Sequence, residues 1–367
     1  MGRNTFSVDS YRAARTNYGV NMNKGVTMKA EAEARRTGKL SAIVDPAINP
    51  IRRSMIRLDP HQGKWMATIG CPMDIEVTCD TTGSMGGEVD TEMAVLPDLY
   101  SAVSKVLPGY DPQLCLGIFG DYCDDFVMCR PQFEMEAPKI VEYLKEMAPQ
   151  RGGCGNHGED PQYAMFARAY LTDAYTNKIG LKGYHFVITD EPYHDSLDPR
   201  QIERIFGESI FRNELKDMRG EVPTVKSMVK KLKEVTHQFV LIMRDYSYGD
   251  TVDLWTELCG ENSVIIIDST SQLPAVISAI IGLTEGTIDQ AGIGEYLAGF
   301  GIHDNRLVNG LSVIDIGAQA KLRHYMEHAV PVAGDIFTEK TDVWPTIASV
   351  NTEEKSEPVD GDHIDYL

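Results

Sequence analysis

The 367-residue chain has few of the features that send a protein to a membrane, a secretory route or a nucleic-acid surface. No apolar run approaches the roughly 20 residues needed to cross a bilayer. The opening Met-Gly-Arg-Asn-Thr-Phe-Ser lacks the apolar core of a secretory signal. There are 7 cysteines, an odd number, and no two stand as Cys-x-x-Cys. That scatter argues against a zinc site and a disulfide framework, and for a reducing compartment. Positive charge is scarce: 35 Lys/Arg face 54 Asp/Glu, a net charge of −19. Such a body disfavours non-specific contact with nucleic acid. The glycine-rich run 152–158 lacks the Gly-Lys-Ser/Thr end of a phosphate loop, no Gly-x-Ser-x-Gly elbow occurs, and His185 and His194 lack the helical spacing of a zinc protease. The expectation is a cytoplasmic protein with no membrane partner.

The charge is unevenly spread. Residues 1–57 hold 11 Lys/Arg against 4 Asp/Glu, a net +7, whereas residues 351–367 hold 6 acids and one Lys, a net −5. Four segments follow from this and from the hydrophobic pattern: a basic N-terminal arm and linker over 1–65, a main domain over 66–284, an appendage over 285–350, and an acidic disordered tail over 351–367. Within the arm, Met28 to Arg36 has helix formers but few apolar residues, so it reads as an exposed or partner-dependent helix. The arm leaves nucleic acid open as a partner of that segment alone.

Between about 72 and 284 strand-like and helix-like runs alternate. Strands are expected at Ile75–Cys79, Leu114–Phe119, Phe126–Met128, Tyr184–Thr189, Gln238–Met243 and Ser263–Asp268. Helices are expected at Glu88–Val106, Ala137–Met147, Pro161–Thr176, Val225–Val235, Val252–Cys259 and Leu273–Leu283. Apolar strands separated by amphipathic helices imply an α/β fold with a doubly wound, mostly parallel sheet covered on both faces. Phe126–Met128, close behind its predecessor, fits a short antiparallel edge strand.

The chemistry concentrates where strands end. Ile75 to Cys79 delivers Asp80, then Thr82 and Ser84 at alternate positions, then glycines that free the backbone to turn. One carboxylate with hydroxyls and no His or Cys is a hard-ligand set of the kind Mg²⁺ prefers. A second strand, Tyr184 to Thr189, ends in Asp190-Glu191-Pro192. His185 reads as a packed strand residue, and His157 and His194 as solvated loop residues.

Asp80-Thr81-Thr82-Gly83-Ser84 resembles the metal-ion-dependent adhesion site (MIDAS) of von Willebrand factor A (vWA) domains, whose signature is Asp-x-Ser-x-Ser with Thr accepted for the first Ser. Thr189-Asp190 resembles the third loop of that family, with Glu191 where a glycine is usual. The run Gly152-Gly153-Cys154-Gly155-Asn156-His157-Gly158-Glu159-Asp160-Pro161 is similar to the loop that replaces the second-loop Thr in an intracellular subgroup, including domains attached to alpha-type protein kinases. The Asp-Tyr that precedes it there is kept as Asp121-Tyr122, but its Arg is lost.

The resemblance implies a vWA/Rossmann-like fold and a site for Mg²⁺ or Mn²⁺. Thr82 and Ser84 would ligate through hydroxyls, Asp80 and Asp190 would hold bound waters, and Glu159, with Asn156 as competitor, would complete the set; Asp121 would lie outside it. It further implies metal-dependent association with a protein partner offering an Asp or Glu, as adaptor or assembly factor. An AAA+ ATPase or a multiprotein particle is the kind of partner such relatives serve. The runner-up is a structural subunit of a large particle with a stabilising metal. A Mg²⁺-dependent phosphohydrolase built on Asp80, Asp190 and Glu191 is the enzymatic alternative; otherwise no enzyme is expected.

Overall fold

Strand β4 (Cys71–Asp80) organises the protein, and its alternating side chains explain how. Met73, Ile75, Val77 and Cys79 point to one face, while Asp74, Glu76, Thr78 and Asp80 point to the other; all eight are fully buried. The strand is covered on both faces and lies inside the main sheet, with a neighbour on each side. In this computed structural model, residues 28–54, 56–59, 64–67, 71–178, 180–244 and 249–322 are described.

The elements run, in chain order, α1 (Met28–Thr37), β1 (Arg52–Arg53), β2 (Ile56–Asp59), β3 (Lys64–Ala67), β4, α2 (Glu88–Val106), β5 (Tyr110–Phe119), β6 (Met128–Cys129) and α3 (Ala137–Lys145). Then come α4 (Pro161–Tyr170), β7 (Thr172–Asp173), α5 (Tyr175–Lys178), β8 (Gly183–Thr189), α6 (Pro199–Phe206), α7 (Ile210–Asn213) and α8 (Val225–Val235). The last are β9 (Thr236–Met243), α9 (Thr251–Cys259), β10 (Val264–Ile267), α10 (Leu273–Glu285), α11 (Ile293–Ala298) and α12 (Asn305–Leu311).

The main sheet has the order β10-β9-β8-β4-β5-β6. All its pairs are parallel except β5–β6, which is antiparallel and aligns Ile118 with Cys129. The doubly wound α/β class and the antiparallel edge are as expected. One face packs on α2, α3 and α10 through Met73, Ile75, Leu96, Leu99, Leu144, Ile277 and Ile281. The other packs on α4, α6, α8 and α9 through Phe119, Val187, Val240, Phe166, Ile202, Met228 and Trp255. The chain leaves β4 toward β5 on one side and later returns to β8 on the other. The gap between the carboxyl ends of β4 and β8 is therefore the switch point where open α/β sheets bind ligands.

Three expectations need correction. The helix expected over Pro161–Thr176 stops at Tyr170, because Leu171 leaves helical geometry and Thr172–Asp173 pairs with Arg52–Arg53 as a small parallel ladder. The arm is not loose where it is described: Ala34 and Val44 join the core, Arg130 N–H donates to the Val44 carbonyl at 2.8 Å, and Glu31 accepts from Arg151 at 3.2 Å. The cysteines are not all unpaired, for Cys123 and Cys154 form a disulfide. With that bridge the cysteines no longer argue for a reducing compartment. The appendage packs as part of the first core layer through Ile288, Ile293, Leu297, Leu307 and Leu311. The first 27 residues, the acidic tail and 323–350 lie outside the described residues. No described helix is long and apolar enough to cross a membrane.

Candidate metal centre

Asp80 is the last residue of β4, and Thr189 the last of its neighbour β8, so parallel pairing brings their side chains to one rim. The Asp80 carboxylate is held from three directions. Its Oδ1 accepts from the Thr82 backbone N–H at 2.8 Å and the Thr82 hydroxyl at 2.7 Å, and its Oδ2 accepts from the Thr189 hydroxyl at 3.0 Å. The Thr82 and Ser84 hydroxyls lie 3.1 Å apart, and Ser84 Oγ donates to Asp190 Oδ1 at 3.1 Å. Asp80, Thr82, Ser84 and Asp190 thus form one continuous oxygen cluster.

The glycine-rich loop closes over this cluster. Gly83 N–H donates to the Gly152 carbonyl, and Arg151 N–H to the Thr81 carbonyl at 2.8 Å. A Cβ on Gly83 would stand 3.0 Å from that Gly152 oxygen, so the approach requires glycine. Gly153, at φ +136°, takes a backbone conformation that favours glycine and runs beside the site: a Cβ there would make ordinary contact with Glu159 Oε1 at 3.7 Å and Thr82 Cβ at 3.9 Å. Glu159 is buried with its carboxyl beside Thr82 and Asp80, whereas Asn156 is exposed and bonds His194 at 3.0 Å. The structure therefore brings together Asp80, Thr82, Ser84, Glu159 and Asp190, and leaves Asn156 out.

Glu191 does not obstruct the third loop. Its Oε2 accepts from Gly158 N–H at 2.9 Å, and its carbonyl accepts from the Trp255 indole at 3.0 Å. The side chain that replaces the glycine thus ties the third loop to the second.

The charges are unbalanced. Among the described residues, none of Asp80, Glu159, Asp190 and Glu191 has a lysine or arginine partner. Burial and the facing Asp190 raise the Asp80 carboxyl to about 7; burial and Glu191 raise Asp190 to about 6 against the bond from Ser84. Burial, then Asp80, Asp121 and Glu191, push Glu159 up further still. Glu159 Oε2 and Asp190 Oδ2 are buried without a hydrogen-bond partner. Buried oxygens left in that state cost free energy unless a donor or a cation meets them. The residues present fit a hard dication, which would answer all of these observations at once.

Two contributions escaped sequence reading. Thr189 stands in the third-loop motif, but its bond to Asp80 of the neighbouring strand has no local sign. Glu92, on α2, is fully buried, and neither of its oxygens has a nitrogen or oxygen donor; the Cys79 thiol lies against it. Burial and the neighbouring Asp80 raise its carboxyl well above the usual range. The available signal was its place in the apolar stripe Val89, Met93, Leu96, where a carboxylate is out of character.

No family model matches the chain, and no curated protein is significantly similar in sequence. Solved structures that align with it include proximal thread matrix protein 1 from the mussel byssus, at 13% identity and a TM-score of 0.35, covering 58% of this chain and 48% of that one. The pilus adhesin SpaC from Lactobacillus rhamnosus GG aligns at 14% identity and a TM-score of 0.38, covering 58% of this chain and 31% of that one. The chain thus spans less than half the length of each.

Proposed function

We propose that this protein holds Mg²⁺ or Mn²⁺ in a MIDAS-like site of a vWA-type domain and uses it to bind an acidic side chain of a protein partner. Asp80, Thr82, Ser84, Glu159 and Asp190 would hold the ion, which when bound supplies an electrophilic position for a carboxylate. The carrying observation is the pair of unpartnered buried oxygens, Glu159 Oε2 and Asp190 Oδ2, in a group of carboxyls that no lysine or arginine among the described residues neutralises. Hydroxyls and carboxylates with no nitrogen or sulfur donor favour hard cations. Access comes from solvent past half-buried Ser84 and the exposed Gly83, Gly152 and Gly153. An adaptor or assembly role follows, with an AAA+ ATPase or a large particle as the class of partner.

An association role is favoured over phosphoryl hydrolysis by the fate of Asp80. Both its oxygens are engaged by Thr82 and Thr189 and the residue is fully buried, which suits an orienting group better than an attacking one.

The test is a thermal melt in EDTA, Mg²⁺ and Mn²⁺ with the wild-type chain and Asp80→Asn. Ligand at 100 times its Kd stabilises by about 2.7 kcal/mol, which in a domain of this size raises Tm by roughly 5–10 °C. That rise is expected in wild type and absent in Asp80→Asn. An unchanged wild-type Tm at millimolar metal would overturn the site. Partner association is then expected in Mg²⁺ and lost in EDTA; equal capture in both, or by Asp80→Asn, would overturn the function while leaving the ion site standing.

A further inference from the structure

Beside the oxygen site lies a second cluster of different chemistry. Asp121 comes from the loop after β5, Asp160 from the turn that opens α4, and His194 from the loop after β8. Donor atoms from all three lie within 4.8 Å of one another. Asp121 and Asp160 are 0% and 2% exposed, and His194 is half-buried. His194 Nδ1 stands 2.9 Å from Asp160 Oδ1, while Asp160 Oδ2, in the same small space, is buried with no hydrogen-bond partner. Asp121 accepts from Tyr122 N–H at 2.7 Å and Cys154 N–H at 3.2 Å, and Gln162 also bonds Asp160 Oδ1.

We infer that Asp121, Asp160 and His194 form a second cation site, selective for a first-row transition dication such as Zn²⁺ and separate from the oxygen site at Asp80. An imidazole with two carboxylates is a donor set for Zn²⁺ rather than for Mg²⁺. Two donors on a tetrahedral zinc with bonds of about 2.0–2.1 Å lie about 3.3 Å apart. The His194–Asp160 spacing is near that value, and no pair in the cluster has to close by more than about 1.5 Å to reach it.

His194 is held in place from both sides. His194 Nε2 faces the Asn156 side-chain amide at 3.0 Å, leaving Nδ1 on the side of the carboxylates. With the amide nitrogen on Nε2, the ring proton sits on Nδ1 and faces Asp160; binding a metal at Nδ1 would move that proton to Nε2 and turn the Asn156 amide so that its oxygen accepts it, the arrangement metal-bound histidines take. Glu159 N–H donates to the Pro192 carbonyl at 3.0 Å and His194 N–H to the Glu159 carbonyl at 3.1 Å, so the two loops are stitched together by backbone. Gly158, at φ +105°, clears the imidazole: a Cβ there would meet His194 Cδ2 at 3.4 Å. The Cys123–Cys154 disulfide fastens the loop of Asp121 to the glycine-rich loop.

The inference stands whether or not the oxygen site binds Mg²⁺, and its experiment keeps the two apart. Zn²⁺ is titrated calorimetrically into the full chain in millimolar Mg²⁺, with His194→Gln, Asp121→Asn, Asp80→Asn and His157→Ala alongside. Each variant is first checked for an unchanged circular dichroism spectrum and melt in EDTA. A saturable zinc equivalent is expected in wild type, in Asp80→Asn and in His157→Ala. It is expected to weaken by about 10–100-fold in Asp121→Asn and at least as much in His194→Gln. Wild-type affinity in His194→Gln, loss of zinc in Asp80→Asn or in His157→Ala, or no saturable zinc in wild type would each overturn it. If His194→Gln alters the melt in EDTA, Asp121→Asn decides by the same criterion.

Discussion

Glu159 and Asn156 both offer an oxygen in the second loop, three residues apart, and only one reaches the cluster. The separation comes from backbone: positive φ at Gly153, Gly155 and Gly158 carries the chain outward, exposes Asn156, and brings Glu159 back beneath Thr82. Glu159→Gln keeps the size of the side chain and removes its charge. In Mg²⁺ titrations followed by calorimetry it is expected to weaken binding by about 10–100-fold, whereas Asn156→Ala should leave Mg²⁺ affinity unchanged. Equal effects of the two would place the ion outside Glu159. Protons compete with cations for the same oxygens. Burial raises Asp80 to about 7, Asp190 to about 6 and Glu159 higher than either, so Mg²⁺ affinity should fall as pH drops from above 7 through 6, and a flat profile would contradict the ligand set.

At the scale of elements, β4 carries two buried ion pairs on the face that ends in Asp80. Glu76 accepts from Arg130 Nε at 2.6 Å and Nη2 at 2.9 Å, and Asp74 pairs with Arg168 of α4. Burial pushes the Glu76 carboxyl up, and the Arg130 charge and its paired bonds outweigh that, holding it at about 2. Breaking such a pair from one side strands a buried charge and costs about 3–5 kcal/mol, whereas replacing both partners by apolar residues is far milder. Arg130→Met is therefore expected to unfold at much lower urea than wild type, and Arg130→Met with Glu76→Met to recover most of the loss. Similar midpoints for the single and double variants would mean that the pair does not act as a unit. The Asp74 pair also bears on the strand's length: β4 begins at Cys71, not Ile75, because Asp74 looks like a loop residue until Arg168 is in place.

For the whole molecule, the acid limb of stability has an identifiable source across the sheet. His185 of β8 is fully buried, with Nδ1 2.5 Å from Gln238 Oε1 and Nε2 3.5 Å from the Thr78 hydroxyl. Burial lowers its pKa to about 4, against the pull of Glu76. The folded imidazole is thus neutral where the unfolded one, at about 6.5, takes a proton. Its contribution is complete above about 6.5 and is lost as pH falls toward 4, with roughly 3 kcal/mol at stake over that window. His237, lowered to about 4 by burial, acts in the same direction. His185→Gln is expected to flatten the fall in Tm between pH 6.5 and 4 measured by thermal melts; an unaltered slope would show that another group governs it.

The order of the main-sheet strands and their covering helices, and the strand-end places of Asp80, Thr82, Ser84 and Asp190, were written in the sequence by itself, because periodicity and strand-end turns are local properties of the chain. Contacts between distant segments were not. Glu92 on its helix, Thr189 against Asp80, the Cys123–Cys154 bridge, the docking of Ala34 and Val44, and the meeting of Asp121, Asp160 and His194 have no local signature. Tertiary structure decided them, since only the folding of β4, β5 and β8 side by side brings groups more than 100 residues apart within bonding distance and buries them where water cannot screen their charge.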